Sequence, residues 1–109
     1  MSPYGRSARN WKATQRSHTR DNDFVLTVTG EVELRRKNEV PHLRPILPRD
    51  SVPTRLYLEL TILSAGIGDA EKTWKAVQFE RKITNSQYSG VEVLIEGRRV
   101  GYCDVEIAA

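Results

Sequence analysis

The sequence predicts an all-β protein: a small antiparallel β-sandwich of immunoglobulin-like architecture, preceded by a disordered basic N-terminal arm. Three observations predict it. Residues 23–36 alternate apolar and polar side chains over the longest clean stretch in the chain. Further alternating runs follow, separated by segments bearing Gly and Pro, with no long helical period between them. The basic excess is confined to the first fifth of the sequence.

The 109 residues make one domain, and the hydrophobic (39%) and charged (28%) fractions are those of a globular chain rather than a disordered one. Cys103 is the only cysteine, which excludes an intrachain disulfide framework. The first thirty residues lack the apolar core of a secretion signal, and no apolar run approaches the eighteen or so residues of a membrane helix. These features predict a cytoplasmic protein with no membrane association. The net charge is +3. Residues 1–22 carry five basic side chains (Arg6, Arg9, Lys12, Arg16 and Arg20) against Asp21 alone, whereas residues 23–109 carry twelve basic and thirteen acidic ones.

Residues 1–22 show no strand alternation, and Tyr4 and Trp11 are their only large apolar groups. The expectation is a flexible arm, with residues 23–109 forming the single β-domain. In the first strand, Asp23–Arg36, the residues Phe24, Leu26, Val28, Val32 and Leu34 share the inner row. Gly30 interrupts that row, as at a bulge, a bend or a close backbone approach. Residues 37–53 hold four prolines and read as a crossing loop, since proline cannot donate to a ladder. Pro45-Ile46-Leu47-Pro48 matches a PxxP pattern, but its flanking arginines do not sit at the usual ligand spacing.

The second strand, Thr54–Leu63, turns Leu56, Leu58, Leu60 and Ile62 inward and Tyr57 outward. In the third, Thr73–Ile83, Val77, Phe79 and Ile83 share a row with Lys75 and Arg81. Cations in an inner row suit an edge strand, where they discourage aggregation. Tyr88–Glu96 and the final strand form a hairpin. Gly97-Arg98 is expected as its type II′ turn, with Glu96 facing Arg99 and a bulge near 101–103. Cys103 is then a small apolar residue on the inner side. A small OB-like barrel is the alternative architecture, but the short span between Ile83 and Tyr88 leaves no room for that fold's helix.

No nucleophile–base pairing, phosphate loop, zinc motif or dinucleotide fingerprint is present. His18 falls in the arm and His42 beside a proline, so no catalytic, metal or cofactor residues are assigned. Glu31 and Glu33 lie about 7 Å apart on one strand face and read as a solvated pair. The expected function is therefore a non-catalytic binding or assembly module. It would engage an unknown protein partner, or itself, through an edge or loops, with Tyr57 and Trp74 as contact candidates. The alternative is a nucleic-acid-binding protein. In that reading Arg6, Arg9, Lys12, Arg16 and Arg20 grip phosphates and Trp11 stacks on bases.

Overall fold

The computed structural model describes residues 8–17, 23–64, 66, 68–84 and 88–108. Among these the all-β expectation holds: there are seven strands and no helix, arranged as one mixed sheet that curls into a nearly closed, barrel-like form. The strands are β1 (Ala8–Ser17), β2 (Asp23–Arg36), β3 (Glu39–Ile46), β4 (Arg55–Ser64), β5 (Ala70–Thr84), β6 (Gly90–Ile95) and β7 (Arg98–Ala108). Their order is β3-β4-β6-β7-β1-β2-β5. Among the described residues no helix is long and apolar enough to cross a membrane.

Each strand runs opposite to the one before it in sequence, yet the sheet is not purely antiparallel. β4 lies parallel to β6, and β1 parallel to β7. These neighbours are not consecutive in the chain, which corrects the all-antiparallel expectation. The two outer strands, β3 and β5, approach one another without forming a ladder, leaving a seam.

The inner rows build the core. Leu26, Val28, Val32 and Leu34 of β2 meet Leu56, Leu58 and Leu60 of β4 and Val91 and Val93 of β6, all buried. Each such side chain contributes about 1.5–3 kcal/mol by leaving water. On β5, Val77 and Ile83 are buried while Lys75 and Arg81 of the same row are exposed at the seam. β5 is an edge strand, as its mixed pattern suggests.

Two segments depart from the sequence reading. Residues 8–17, expected within the arm, form strand β1 between β2 and β7. Backbone ladders on both sides hold β1, although its inward set offers little apolar bulk beyond Trp11: Ala8, Ala13 and Gln15 are its other inward residues. Its register with β2 shifts between Arg9 and Lys12, where Asn10 adopts a left-handed φ of 58°. The bulge turns the Trp11 indole over Gly30 of β2 and Gly101 of β7, and a Cβ on either glycine would run into the ring. Of the options for Gly30, two occur together: it lies opposite the β1 bulge and meets the Trp11 ring in a close approach. Residues 1–7 and 18–22 of the expected arm lie outside the described residues.

Residues 39–46, expected in a loop, form strand β3 with an unbroken register against β4. Pro41 and Pro45 are four apart, so their missing N–H groups fall on the same side of the strand. An unbroken ladder with β4 requires that side to be the one facing the seam. Prolines that exclude a central strand are compatible with this outer one.

The β6–β7 hairpin also differs by one residue. Ile95 faces Arg98, so Glu96 and Gly97 are the turn residues, with positive φ values of 48° and 81°. Two successive left-handed residues make a type I′ turn, whose twist matches the strands. The expected bulge is present just N-terminal to its expected place: Leu94 faces Arg99 and Val93 faces Gly101, leaving Val100 as the extra residue.

Candidate functional site

Strand direction places the ends of β1, β3, β5 and β7 together with the starts of β2, β4 and β6. Residues 47–54 belong to this end. They close in a turn in which the Ser51 N–H donates to the Pro48 carbonyl (3.2 Å) and the Arg55 N–H to that of Val52 (3.0 Å). The Val52 N–H donates to the Tyr57 hydroxyl at 2.9 Å, which pins the loop back onto the outer face of β4. Across the same end, the Ser89 N–H donates to the Thr54 carbonyl at 2.8 Å.

Between this loop, Tyr88 and the end of β5 opens a cleft of about 390 Å³. Its apolar wall comes from Pro45, Ile46, Leu47, Val52 and Leu56. Among the described residues, its charged lining residues are Arg55 and Arg81. Arg55 stacks on the Tyr102 ring, 5.1 Å from its centroid, and Arg99 lies 5.4 Å from the same centroid. The Tyr102 hydroxyl donates to Asp104 at 3.1 Å. Arg81 has no ion pair or hydrogen bond among the described residues. Leu47 is 87% exposed, and Ile107 at the same end of the barrel is 71% exposed.

The opposite end is polar and knitted. The Glu39 carboxylate, buried, accepts the N–H groups of Arg35 (2.7 Å) and Arg36 (3.0 Å) at the corner between β2 and β3. The Asn38 amide donates to the Gly66 carbonyl at 2.7 Å, and the Lys37 N–H to that of Asp69 at 3.1 Å. One end of the barrel is thus tied by hydrogen bonds, and the other holds an apolar cleft with two arginines.

Of the residues singled out from sequence, Tyr57 lines the cleft and the other described ones fall elsewhere. Tyr57, expected on the outside, is buried at 5% exposure because the 47–54 loop covers it. Trp74 is half-buried on the outer face of β5, and the Arg9 guanidinium lies 3.8 Å over its ring. Arg9 also contacts Glu31 at 3.3 Å. Trp11 packs over the two glycines, so its ring is not displayed for stacking on a base. Lys12 and Arg16 stand exposed on the outer face of β1. Arg6 and Arg20 lie outside the described residues. Glu31 and Glu33, neighbours on one face, each pair with a cation: Glu31 with Arg9, and Glu33 with Lys72 at 3.6 Å.

His42 is exposed on β3, and His18 lies outside the described residues. Among the described residues no three of His, Cys, Asp and Glu gather as a metal site would require. Cys103 is half-buried opposite Val91. Burial, and then the nearby Asp104 and Glu106 carboxylates, push its thiol pKa above the ordinary value.

Sequence reasoning assigned no binding role to Leu47, Val52, Arg55 or Tyr88; it expected Leu47 to cover part of the core, whereas the side chain stands in water. The available signal was Leu47 itself, a large aliphatic residue between two prolines in an otherwise polar stretch. Comparison with known proteins finds no matching family, no matching characterised protein and no matching solved structure.

Proposed function

We propose that this chain is a non-catalytic binding module that receives a protein partner at the end of the barrel formed by the 47–54 loop, Tyr88 and the end of β5. One observation carries the reading: large apolar side chains are left in water beside a concave surface, with Leu47 exposed by 87% and Val52 by 42%. Leaving a leucine in water forgoes the 1.5–3 kcal/mol or so that burying it would return, and clustered apolar surface of this kind marks interaction sites. Counting the strands as two facing sheets, as in the sandwich reading, or as one seamed barrel leaves the loops at the same end. A single cysteine, which can form no intrachain disulfide, is compatible with a cytoplasmic setting for the module.

The nucleic-acid alternative loses the support it had at Arg9 and Trp11, which are engaged within the sheet.

The test is selection of a random peptide library on the full chain, with a Leu47→Glu, Val52→Glu double variant in parallel. The expected result is a set of peptides enriched on the native chain and lost on the variant. Far-ultraviolet circular dichroism checks that the variant keeps its strands. Peptides that enrich equally on both forms, or no enrichment at all, would overturn the assignment of this surface.

A further inference from the structure

We infer that the cleft receives the C-terminal residue of a partner protein, an aliphatic one, with its free carboxylate on the Arg81 guanidinium and its side chain against Leu47 and Val52. This inference rests on the binding-module reading and names the part of the partner that the surface takes.

The first observation is a set of donors left without acceptors. Arg81 lines the cleft from the inner row of β5, exposed, with no ion pair or hydrogen bond among the described residues. The other lining arginine, Arg55, is turned to the Tyr102 ring, so one guanidinium is available. The Ser51 hydroxyl, on the loop side of the cleft, has no hydrogen bond among the described residues either. The Tyr57 hydroxyl accepts the Val52 N–H, and its own proton has no acceptor among them. The planar fork of a guanidinium matches one carboxylate, and neighbouring free donors add to the preference for an anion. The apolar wall beside Arg81 disfavours a second charge, which would lose hydration there without a partner. The ligand therefore carries one carboxylate close to one apolar group. In a C-terminal residue the two branch from the same Cα, so both enter a single recess together.

The second observation is that the cleft is blind. Its floor is the buried Leu56, with Leu58 next inward on β4 and Leu26 opposite Arg81, both wholly buried. Along the seam β3 lies close beside β5. The recess at the far end of that seam, lined by Leu34, Lys37 and Glu71 among others, shares no lining residue with the cleft. A segment from the middle of a chain needs a way in and a way out, which suits a groove open at both ends. A recess of about 390 Å³ closed at its inner end suits a chain that stops there. Capture of a terminal carboxylate recurs in peptide recognition, and it needs no free strand edge.

The experiment uses the full chain and a short peptide, labelled with fluorescein at its N-terminus and ending in valine and leucine with a free carboxylate, followed by fluorescence anisotropy at low salt. A second peptide has the same sequence and a C-terminal amide. A third places a glutamate beside the valine and leucine in mid-sequence and is also amidated. Octanoate, a small apolar acid, is added as a competitor. The expected result is binding of the free acid, at least tenfold weaker binding of both amidated peptides, and displacement by octanoate only at far higher concentration. In Arg81→Gln, a change at an exposed side chain, the free acid should fall to the level of its amide, with the far-ultraviolet circular dichroism unchanged.

Equal binding of the free acid and its amide, or a preference for the acid that survives Arg81→Gln, would overturn the carboxylate assignment. An internal glutamate that binds as tightly as the free acid would overturn the choice of a chain terminus. Octanoate that displaces the peptide at equal concentration would make the ligand a small apolar acid and overturn a protein source. Failure of the free-acid peptide, while the library still yields ligands that depend on Leu47 and Val52, would sink this inference and leave the binding-module reading standing. Failure of both would remove the reading as well.

Discussion

The Arg9 guanidinium lies 3.8 Å over the ring of Trp74, joining β1 to β5 across the intervening strand β2. Arg9 completes the bridge with Glu31 of β2, at 3.3 Å. The two residues satisfy one another on the outer face. A double-mutant cycle with Arg9→Ala and Trp74→Ala should return a coupling of about 0.5–1 kcal/mol in urea unfolding, the range for an exposed cation–π pair. Strict additivity would show that the stack carries no stability.

Trp11 and Gly30 form a second pair that a cycle resolves. An alanine at Gly30 runs into the indole, so Gly30→Ala should destabilise the fold by about 1–3 kcal/mol, the usual cost of overpacking. In a Trp11→Leu background the same substitution should cost clearly less, because the obstructing ring is gone. An unchanged cost would place the strain in the backbone of β2 instead.

Gln15 is fully buried on β1 opposite Leu26, and neither polar atom of its amide has a hydrogen-bond partner among the described residues. A buried amide without a partner is destabilising relative to an apolar side chain of similar shape. Gln15→Met should therefore raise the unfolding free energy by about 1 kcal/mol, read as a higher urea midpoint at unchanged slope. A loss of stability would show that the amide is bonded to internal water.

Cys103 makes a pH-dependent prediction. Its folded-state pKa is raised, by burial first and by Asp104 and Glu106 second, above the reference value of 9.0. The folded chain therefore holds the thiol proton more tightly than the unfolded chain does. The stabilising contribution is full below about pH 9 and is lost as pH rises through the folded-state pKa. Urea midpoints of the native chain and Cys103→Ala should keep a constant separation up to that point, after which the native chain loses ground. Alkylation by iodoacetamide at pH 8 should be slower in the folded chain than in urea. An equal rate would mean a displayed thiol.

The strands with an apolar row, β2, β4, β5 and the β6–β7 hairpin, were legible because alternation is written into their residues. β1 was not, since its inward positions hold Trp11, Ala13 and Gln15, and its place depends on ladders with two distant strands. β3 was hidden by Pro41 and Pro45, which read as breakers until their common side is known to face the seam. The site was less legible than the fold. Alternation correctly turns Tyr57 outward, but no local pattern shows that the 47–54 loop folds back and covers it. Arg81 was recognised as an inward cation on an edge strand. The cleft beside it needs residues from 45–57 and Tyr88 brought together by the closing of the sheet.

The two prolines of β3 have a consequence for self-assembly. Open-ended growth of a filament by edge pairing needs two competent edges on each subunit, one to receive a copy and one to be received. Pro41 and Pro45 blunt one of them and leave β5 as the competent one. Two copies joined β5 to β5 would use up both good edges in a closed, twofold pair. Pairing of that kind would stop at two subunits rather than seed a fibre.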